Sequence, residues 1–234
     1  MRGARPAPLV VTIDGPAGSG KSTTAKEVAR RLGLRHLDSG ALYRALTVAI
    51  RLAGVPEDQW DDLGPDALSK LDVSLVPTDQ GFRVLVSGRD VGKDLRSPET
   101  TRLAPRLAAN PFVREKLGEI QRSALAFGDL VADGRDMGTV VFPEADLKVF
   151  LTANLGERAR RRLLEKGTPA SDVSIRDEAD RIRERDEADS SRSVAPLRRP
   201  AGAIELDTTS LSFEEQVSRL VSAVSALTAG AGEK

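Results

Sequence analysis

The chain has 234 residues, of which 40% are hydrophobic and 30% are charged, and its 35 basic side chains balance 35 acidic ones. This length allows one large domain with a substantial core, and the absence of net charge argues against nucleic acid or anionic membranes as partners. The lack of cysteine excludes disulfides, zinc–thiolate sites and cysteine nucleophiles.

The first apolar run, residues 9–13, is continuous and β-branched, which predicts a strand buried on both faces. It is too short for the core of a signal peptide. No apolar run reaches the ~20 residues that cross a bilayer. We therefore expect a soluble protein of the cytoplasm.

The next segments alternate between helix and strand. Residues 21–32 predict a helix that Gly33 ends, residues 34–38 predict a short strand, and residues 41–53 predict a second helix that ends at Gly54. Strands that alternate with helices in this way are typical of a parallel α/β sheet.

One segment interrupts this alternation. Residues 72–76 and 82–86 alternate in polarity like the strands of a hairpin, and the turn-rich residues 77–81 join them. Because an antiparallel pair is foreign to a parallel sheet, we predict an inserted region with a small antiparallel β element, roughly residues 66–108.

The later elements return to the parallel pattern. Residues 130–133, 147–151 and 203–206 predict three more buried strands. The last helix is signalled by Ser212 and Glu215, which have the spacing of a capping box.

Residues 155–199 carry eleven arginines interleaved with acids. Asn154 with Glu157 marks the start of a helix there, and Gly167 marks its end. Two interpretations are open. The segment is either a solvated, salt-bridged helical face or a mobile lid that brings arginines over phosphate groups.

The most specific local pattern lies between the first strand and the first helix. Residues 15–22 match G-x-x-x-x-G-K-[ST], whose backbone amides surround a phosphate at the N-terminus of the following helix. Lys21 is predicted to reach the β- and γ-phosphates and Ser22 to hold Mg²⁺. The predicted nucleotide-binding residues are Gly15, Pro16, Ala17, Gly18, Ser19, Gly20, Lys21, Ser22 and Thr23.

A second cluster, Asp133-Gly134-Arg135-Asp136, stands where an apolar strand should end. Charges at such a place are costly unless they are paired or meet a ligand. Asp133 is placed like a Walker-B carboxylate, and two roles are open: action on Mg²⁺ through water, or support of Arg135 and the loop. Arg135 and Asp136 also have a duller alternative, namely pairing with each other.

The kind of acceptor is indicated by the balance of arginines and bases. A hydroxyl acceptor needs a base, whereas a phosphate acceptor needs cations that hold it, so the many arginines favour a nucleoside monophosphate. Two alternatives remain: a kinase of a hydroxyl acceptor with Asp38 or Asp136 as base, and a non-enzymatic nucleotide switch, although no guanine-reading N-K-x-D is present. His36 is expected to be a packed or partly exposed neutral side chain, and Tyr43 and Trp60 to be packing residues.

Four motifs resemble those of bacterial cytidylate kinases and occur in the same order. They are GPAGSGKST, LDSGALYR at 37–44, DGRDMGTVVFP at 133–143 and RERDEADSSRSVAPL at 183–197. The resemblance runs from residue 10 to about residue 227. It implies a single P-loop nucleoside monophosphate kinase domain over residues 1–234, with a five-stranded parallel sheet, the inserted region on the CMP side and a helical lid at about 155–192.

The resemblance also implies an activity and its participants. The implied reaction transfers the γ-phosphoryl group of ATP to CMP or dCMP with Mg²⁺, giving ADP and CDP or dCDP, in pyrimidine nucleotide salvage and recycling. The implied partners are these small molecules only, and a monomer is expected.

The resemblance further implies roles for individual residues. The side chains implied to grip the phosphate of CMP are Arg44, Arg135 and Arg192. Those implied to face the cytosine are Ser39, Arg114 and Asp136, and those implied to contact the sugar are Arg185 and Asp189. The lid residues implied to act on the ATP phosphates are Arg158 and Arg162, so that the implied catalytic groups are Lys21, Arg135, Arg192, Arg158 and Arg162.

Two of these positions carry a complication. Ser39 has a duller alternative role as the N-cap of the helix predicted from residue 41. Pro105 stands where the family usually has a serine that contacts the sugar, and proline offers neither a hydroxyl nor an N–H. This departure leaves the preference between CMP and dCMP open.

Overall fold

A computed structural model describes residues 7–230 of the chain. Within these residues, eight strands form one sheet in the order β3-β4-β2-β6-β1-β7-β8, with β5 paired to β4. The strands are β1 Val10–Asp14, β2 Arg35–Asp38, β3 Val73–Thr78, β4 Gly81–Val86, β5 Arg89–Asp90, β6 Leu130–Gly134, β7 Leu147–Thr152 and β8 Ile204–Asp207.

The strands β2, β6, β1, β7 and β8 are parallel, which confirms the predicted five-stranded core. β1 lies in its centre and all five of its residues are buried, because helices cover both faces of the sheet. In register, Asp14 of β1 lies opposite Gly134 of β6, and Asp38 of β2 lies opposite Asp133. The polar residues that end these strands are thus collected at one edge of the sheet.

Eight α-helices surround the sheet in the described part of the chain. They are α1 Lys21–Leu32, α2 Ser39–Leu52, α3 Pro65–Ser69, α4 Pro98–Leu107, α5 Pro111–Ser123, α6 Leu155–Glu165, α7 Asp172–Ser191 and α8 Phe213–Gly230. The predicted ends of several are confirmed. Gly33 closes α1 with φ of 67°, the Asn154 side chain accepts from the Glu157 amide at 2.8 Å, and Ser212 exchanges hydrogen bonds with Glu215 before α8.

The second helix begins two residues earlier than predicted. Its N-cap is Asp38, whose Oδ1 accepts from the Ala41 amide at 2.9 Å. The alternative in which Ser39 is the cap is therefore wrong. Because the cap is taken by its neighbour, the Ser39 hydroxyl is left buried and available for another contact.

The predicted hairpin is present as β3 and β4, which pair antiparallel. It also extends the main sheet, because β4 lies parallel to β2 with His36 opposite Gly81. The inserted region is therefore attached to the edge strand next to the site, and Trp60 packs in the core beneath it, as predicted.

A third, small apolar cluster joins α6 and α7 to the phosphate loop. Ala17 of the loop packs with Ala159 of α6 and Ile182 of α7, whereas the two large cores lie on the two faces of the sheet. Within residues 7–230, no helix is long and apolar enough to cross a membrane.

Candidate active site

The phosphate loop is held tightly against the sheet. Gly15 has φ of 150°, and a Cβ at this position would lie 2.1 Å from the carbonyl oxygen of Leu151, so only glycine fits. Lys21 is buried, and its ammonium donates to the Pro16 carbonyl at 2.6 Å and to the Ser19 hydroxyl at 3.3 Å. Burial, and then the nearby Arg135, lower the pKa of Lys21 well below its usual value. An anion at this place would stabilise the charged lysine.

Asp133, at the end of β6, is a buried carboxylate with two polar partners. The Ser22 hydroxyl donates to its Oδ2, and His36 Nε2 lies 2.7 Å from its Oδ1. Burial alone would raise the pKa of Asp133 and lower that of His36. Burial is the largest single effect on each group, but their mutual hydrogen bond and charge attraction, together with Ser22 and Lys21 at Asp133 and Asp38 at His36, outweigh it, so that the pKa of Asp133 is lowered and that of His36 is raised.

His36 is largely buried, as expected, but its imidazole also has a carboxylate partner that the sequence did not predict. β2 lies beside β6 in the sheet, and this pairing of two strands distant in sequence sets the imidazole against a carboxylate. The hydroxyl of Ser22 and the carboxylate of Asp133 are hard oxygen donors of the kind that Mg²⁺ prefers, either directly or through water. The residues present thus fit the metal that the loop motif implies.

Asp14, at the end of β1, was not among the residues expected at the site. It is fully buried, and its two carboxylate oxygens accept from the amides of Met137 and Gly138 at 2.8 and 2.7 Å. Burial, only partly offset by these bonds, raises the pKa of Asp14 to about 6. Asp14 could have been identified by the same sequence signal as Asp133, namely a charged residue at the end of a buried apolar strand.

A cavity of about 230 Å³ lies between α5 and the turn that follows β6. On its wall, Arg114 Nη2 donates to Asp136 Oδ2 in a buried ion pair. Tyr43 and Gln121 also line it. The guanidinium carbon of Arg114 lies 5.9 Å from the ring centre of Tyr43, and Gln121 Nε2 donates to Ser39 Oγ at 3.1 Å.

This geometry extends one expectation and rules out one alternative. Tyr43 packs against the core, as expected, and its ring also lines the cavity beside a guanidinium. Arg135 and Asp136 do not pair with each other: Asp136 turns to Arg114, and Arg135 turns to Asp189. Gln121 was not expected at the site, and one glutamine in an ordinary helical pattern gives no sequence signal for it.

Three guanidinium groups converge on the carboxylate of Asp189 at the end of α7. Arg135 Nε lies 2.8 Å from it, Arg192 Nη1 3.6 Å and Arg185 Nε 3.9 Å. Burial, and then Arg135, lower the pKa of Arg185 to about 10. Arg44 lies nearby and pairs with Asp38 at 2.8 Å. The cluster therefore carries more positive than negative charge, which makes it a site for an anion.

The two arginines expected on the lid have protein partners. Arg158 Nη1 donates to Asp186 and, at 3.0 Å, to the carbonyl of Ala17, while Asp186 Oδ1 accepts from the Ala17 amide at 2.8 Å. Arg162 Nε lies 3.0 Å from Glu178, a buried carboxylate that also binds Lys166. Salt bridges thus do tie the lid helices together, and one of them fastens the lid to the phosphate loop.

A second cavity, of about 500 Å³, opens beside the phosphate loop. Gly18 and Gly20 line its floor and Arg161 and Gln216 its sides. Arg161 is fixed there by donation to the hydroxyl and the carbonyl of Thr208, at 2.9 and 2.6 Å. Arg161 and Gln216 were not predicted, because they meet only through the contact of the lid with the segment after β8.

Pro105, where the resemblance predicts a departure from the family, lies inside α4. The helix continues through it, and its carbonyl accepts from the Ala108 amide at 3.2 Å. The residue supplies no hydroxyl to the site.

Proteins of known name resemble this chain in sequence over most of its length. The chain matches the family model described as Cytidylate kinase over residues 11–226. It is 49% identical over 217 residues to the cytidylate kinase of Pseudomonas fluorescens (strain SBW25), covering 92% of this chain and 94% of that protein. It is 43% identical over 211 residues to the cytidylate kinase of Carboxydothermus hydrogenoformans, covering 90% and 95%. The crystal structure of TT1252 from Thermus thermophilus aligns over 94% of this chain and 97% of its own, with 22% identity and a TM-score of 0.48.

Proposed function

This chain belongs to the cytidylate kinase family and transfers the γ-phosphoryl group of ATP to CMP or dCMP, and we propose that the arginine cluster around Asp189 holds the acceptor phosphate. The observation that carries this assignment is the convergence of three guanidinium groups on one carboxylate. A phosphate dianion would balance the excess positive charge of this cluster. Arginine suits phosphate because its planar guanidinium group donates two parallel hydrogen bonds. Arg44, now paired with Asp38, completes the proposed grip.

The cavity beside this cluster is proposed to hold the cytosine. Asp136 lies on its wall and presents carboxylate oxygens, which accept from the N4 amino group of cytosine and repel the O4 of uracil. Arg114, positioned by Asp136, donates to the acceptors of the base. Ser39 does not line this cavity, but its hydroxyl accepts a hydrogen bond from Gln121, which does, and we propose that it acts on the base through this contact. Arg185 and Asp189 are proposed to contact the sugar.

The donor half is proposed to bind ATP at the phosphate loop, residues 15–23. The amides of the loop and Lys21 surround the β- and γ-phosphates, and Lys21 neutralises the charge that develops in transfer. The adenosine is proposed to occupy the cavity of about 500 Å³ lined by Arg161 and Gln216. Arg158 and Arg162, on the proposed lid, are proposed to bind phosphate oxygens of ATP in place of their present carboxylate partners.

Mg²⁺ is proposed to be held by Ser22, with Asp133 acting directly or through water. Bound there, Mg²⁺ would supply positive charge that offsets the negative charge of the ATP phosphates during transfer. Ser22 and Asp133 are already in contact. The role of His36 is then to hold the second oxygen of that carboxylate.

The competing hypothesis of a hydroxyl acceptor is disfavoured by the partners of its two candidate bases. Asp38 caps α2 and pairs with Arg44, and Asp136 pairs with Arg114. A carboxylate committed to a cation is a weak base. We propose one catalytic domain with the CMP-side insertion at 66–108 and the lid at about 155–192, acting as a monomer in the cytoplasm, where ATP and CMP are found.

The assay that tests this function measures ADP release with each nucleoside monophosphate in turn. CMP and dCMP should stimulate release strongly, UMP weakly, and AMP and GMP hardly at all. Release that is the same without an acceptor would indicate an ATPase or a switch. Strong stimulation by a sugar or by shikimate would restore the hydroxyl-acceptor hypothesis.

A further inference from the structure

We propose that Asp14 is a positioning residue that couples the two halves of the site, because its carboxylate caps the turn that carries Arg135 and Asp136. The inference rests on the proposed function, in which Arg135 holds the phosphate of CMP and Asp136 faces its base. Asp14 directly precedes Gly15, the first residue of the phosphate loop. One carboxylate therefore stands between the loop for ATP and the turn for CMP.

The turn after β6 needs an acceptor from outside itself. Residues Met137–Val141 form one wide helical turn, in which the Asp136 carbonyl accepts from the amides of Val140 and Val141 at 2.9 and 3.2 Å. The first amides of a helical turn have no partner within it. Those of Met137 and Gly138 donate to the two oxygens of Asp14, so Asp14 acts as an N-cap that comes from a different strand.

The turn also rests directly on β1. A Cβ on Gly138 would lie 2.7 Å from Thr12 Oγ1 and 3.3 Å from Asp14 Oδ2, so a side chain there would push the turn away. Thr12 and Asp14 point to the same face of β1, since they are two residues apart on a strand. The hydroxyl of Thr12 is buried without a hydrogen-bond partner. Of the two, Asp14 makes the polar contact and Thr12 makes only a packing contact.

A shift of this turn would disturb the acceptor half in two places at once. Arg135 pairs with Asp189 on α7, and Asp136 pairs with Arg114 on α5. The geometry of both ion pairs therefore depends on where the turn lies. The phosphate loop has separate support. β1, which leads into it, pairs with β6 on one side and with β7 on the other. Loss of the cap should therefore raise the KM for CMP more than the Kd for ATP.

The test compares Asp14→Asn with Thr12→Val at pH 8. The asparagine keeps the shape of the side chain but turns an N–H₂ group toward one of the two amides. We expect its KM for CMP to rise by about tenfold or more, with the Kd for ATP within about twofold of wild type. Thr12→Val, which removes only an unpartnered hydroxyl, should leave both constants near the wild-type values.

A purely structural role for Asp14 would lower the melting temperature without separating the two constants. The proposal is overturned if the KM for CMP does not change in a folded Asp14→Asn, if ATP and CMP weaken equally, or if Thr12→Val gives the same change. Arg135→Ala is measured in parallel. If that variant leaves the KM for CMP unchanged, the assignment of the acceptor site fails; if it raises the KM and Asp14→Asn does not, only the role of Asp14 fails.

An NMR measurement on the wild-type chain covers the case in which Asp14→Asn does not fold. The amide protons of Met137 and Gly138 should shift with pH along the same curve as the carboxyl carbon of Asp14. If the amide chemical shifts do not change as this carboxyl titrates, the cap is absent and the proposal is wrong.

Discussion

The proposed donor half of the site is built around one continuous segment, residues 15–23, whereas the proposed acceptor half collects its side chains from α2, α5, the turn after β6, and α7. The donor half positions backbone amides and one lysine through loop geometry that glycine permits. The acceptor half positions guanidinium groups by pairing them with carboxylates, some from another element, as Arg114 with Asp136 and Arg135 with Asp189, and some from the same helix, as Arg185 with Asp189.

This difference indicates how each half should respond to mutation. The phosphate loop binds its ligand mainly through backbone amides. Among its side chains, the largest loss of activity should therefore follow mutation of Lys21. In the acceptor half several cations share the work and three of them share the carboxylate of Asp189, so losses should be spread over several residues and should fall on CMP rather than on ATP. The predictions below test this contrast, from the largest expected effect to the smallest.

Lys21→Ala should lower kcat by orders of magnitude while the fold persists. Loss of one preorganised charge at the transferred group is worth ~3–4 kcal/mol. The measurement is steady-state turnover together with a thermal melt, and Lys26→Ala, an exposed lysine on the same helix, is the control. Near-normal turnover in Lys21→Ala would contradict the proposed mechanism of the donor half.

Asp14, at the boundary of the two halves, should make stability depend on pH. Its pKa is about 6 in the folded chain against 3.8 ordinarily. A raised pKa contributes stability below the unfolded value, and this contribution is lost as the pH rises through the folded value. The unfolding free energy of wild type relative to Asp14→Asn should therefore fall by up to about 3 kcal/mol between pH 4 and pH 7.

Urea unfolding of both proteins at several pH values checks this prediction. The comparison of the two removes the contributions of the other acids, because these are common to both. A difference that stays constant from pH 4 to pH 7 would show that folding does not raise the pKa of Asp14.

Arg44→Ala, Arg135→Ala and Arg192→Ala should each weaken the handling of CMP far more than the binding of ATP. A hydrogen bond to a charged group is worth ~1.5–3 kcal/mol, which corresponds to a rise of about tenfold or more in the KM for CMP. Arg183→Ala, on an exposed part of α7, is the matched control. If all three variants lose as much ATP affinity as CMP affinity, these arginines belong to the donor half.

Asp136→Asn should lower CMP activity and also narrow the preference for CMP over UMP. The amide can donate to the O4 of uracil as well as accept, so that the wrong base is no longer repelled. We expect a loss of ~1–3 kcal/mol in the discrimination. The check is kcat/KM for both substrates in both proteins. An unchanged ratio with lower overall activity would make Asp136 a support for Arg114 and not a reader of the base.

Much of the framework could be predicted because its signals are local. The end of α1 at Gly33, the start of α6 at Asn154 and the capping box of Ser212 with Glu215 each depend on residues within one helical turn. The buried strands β1 and β6 followed from continuous apolar runs, whereas β8, which was also predicted to be buried, lies at the edge of the sheet with only Leu206 of its residues buried. The start of α2 was misplaced because two adjacent polar residues, Asp38 and Ser39, both suit an N-cap, and only the packing of Ser39 against Gln121 decides between them.

The sequence by itself determined the phosphate loop and the fold class, because a loop motif and alternating apolar segments act through neighbours along the chain. The tertiary structure alone decided the partners: His36 with Asp133, Asp14 with the turn at Met137, and Arg158 with Asp186. These contacts join residues that are far apart in sequence. They depend on which strands lie side by side and on which helix end faces the loop, and no local pattern carries that information.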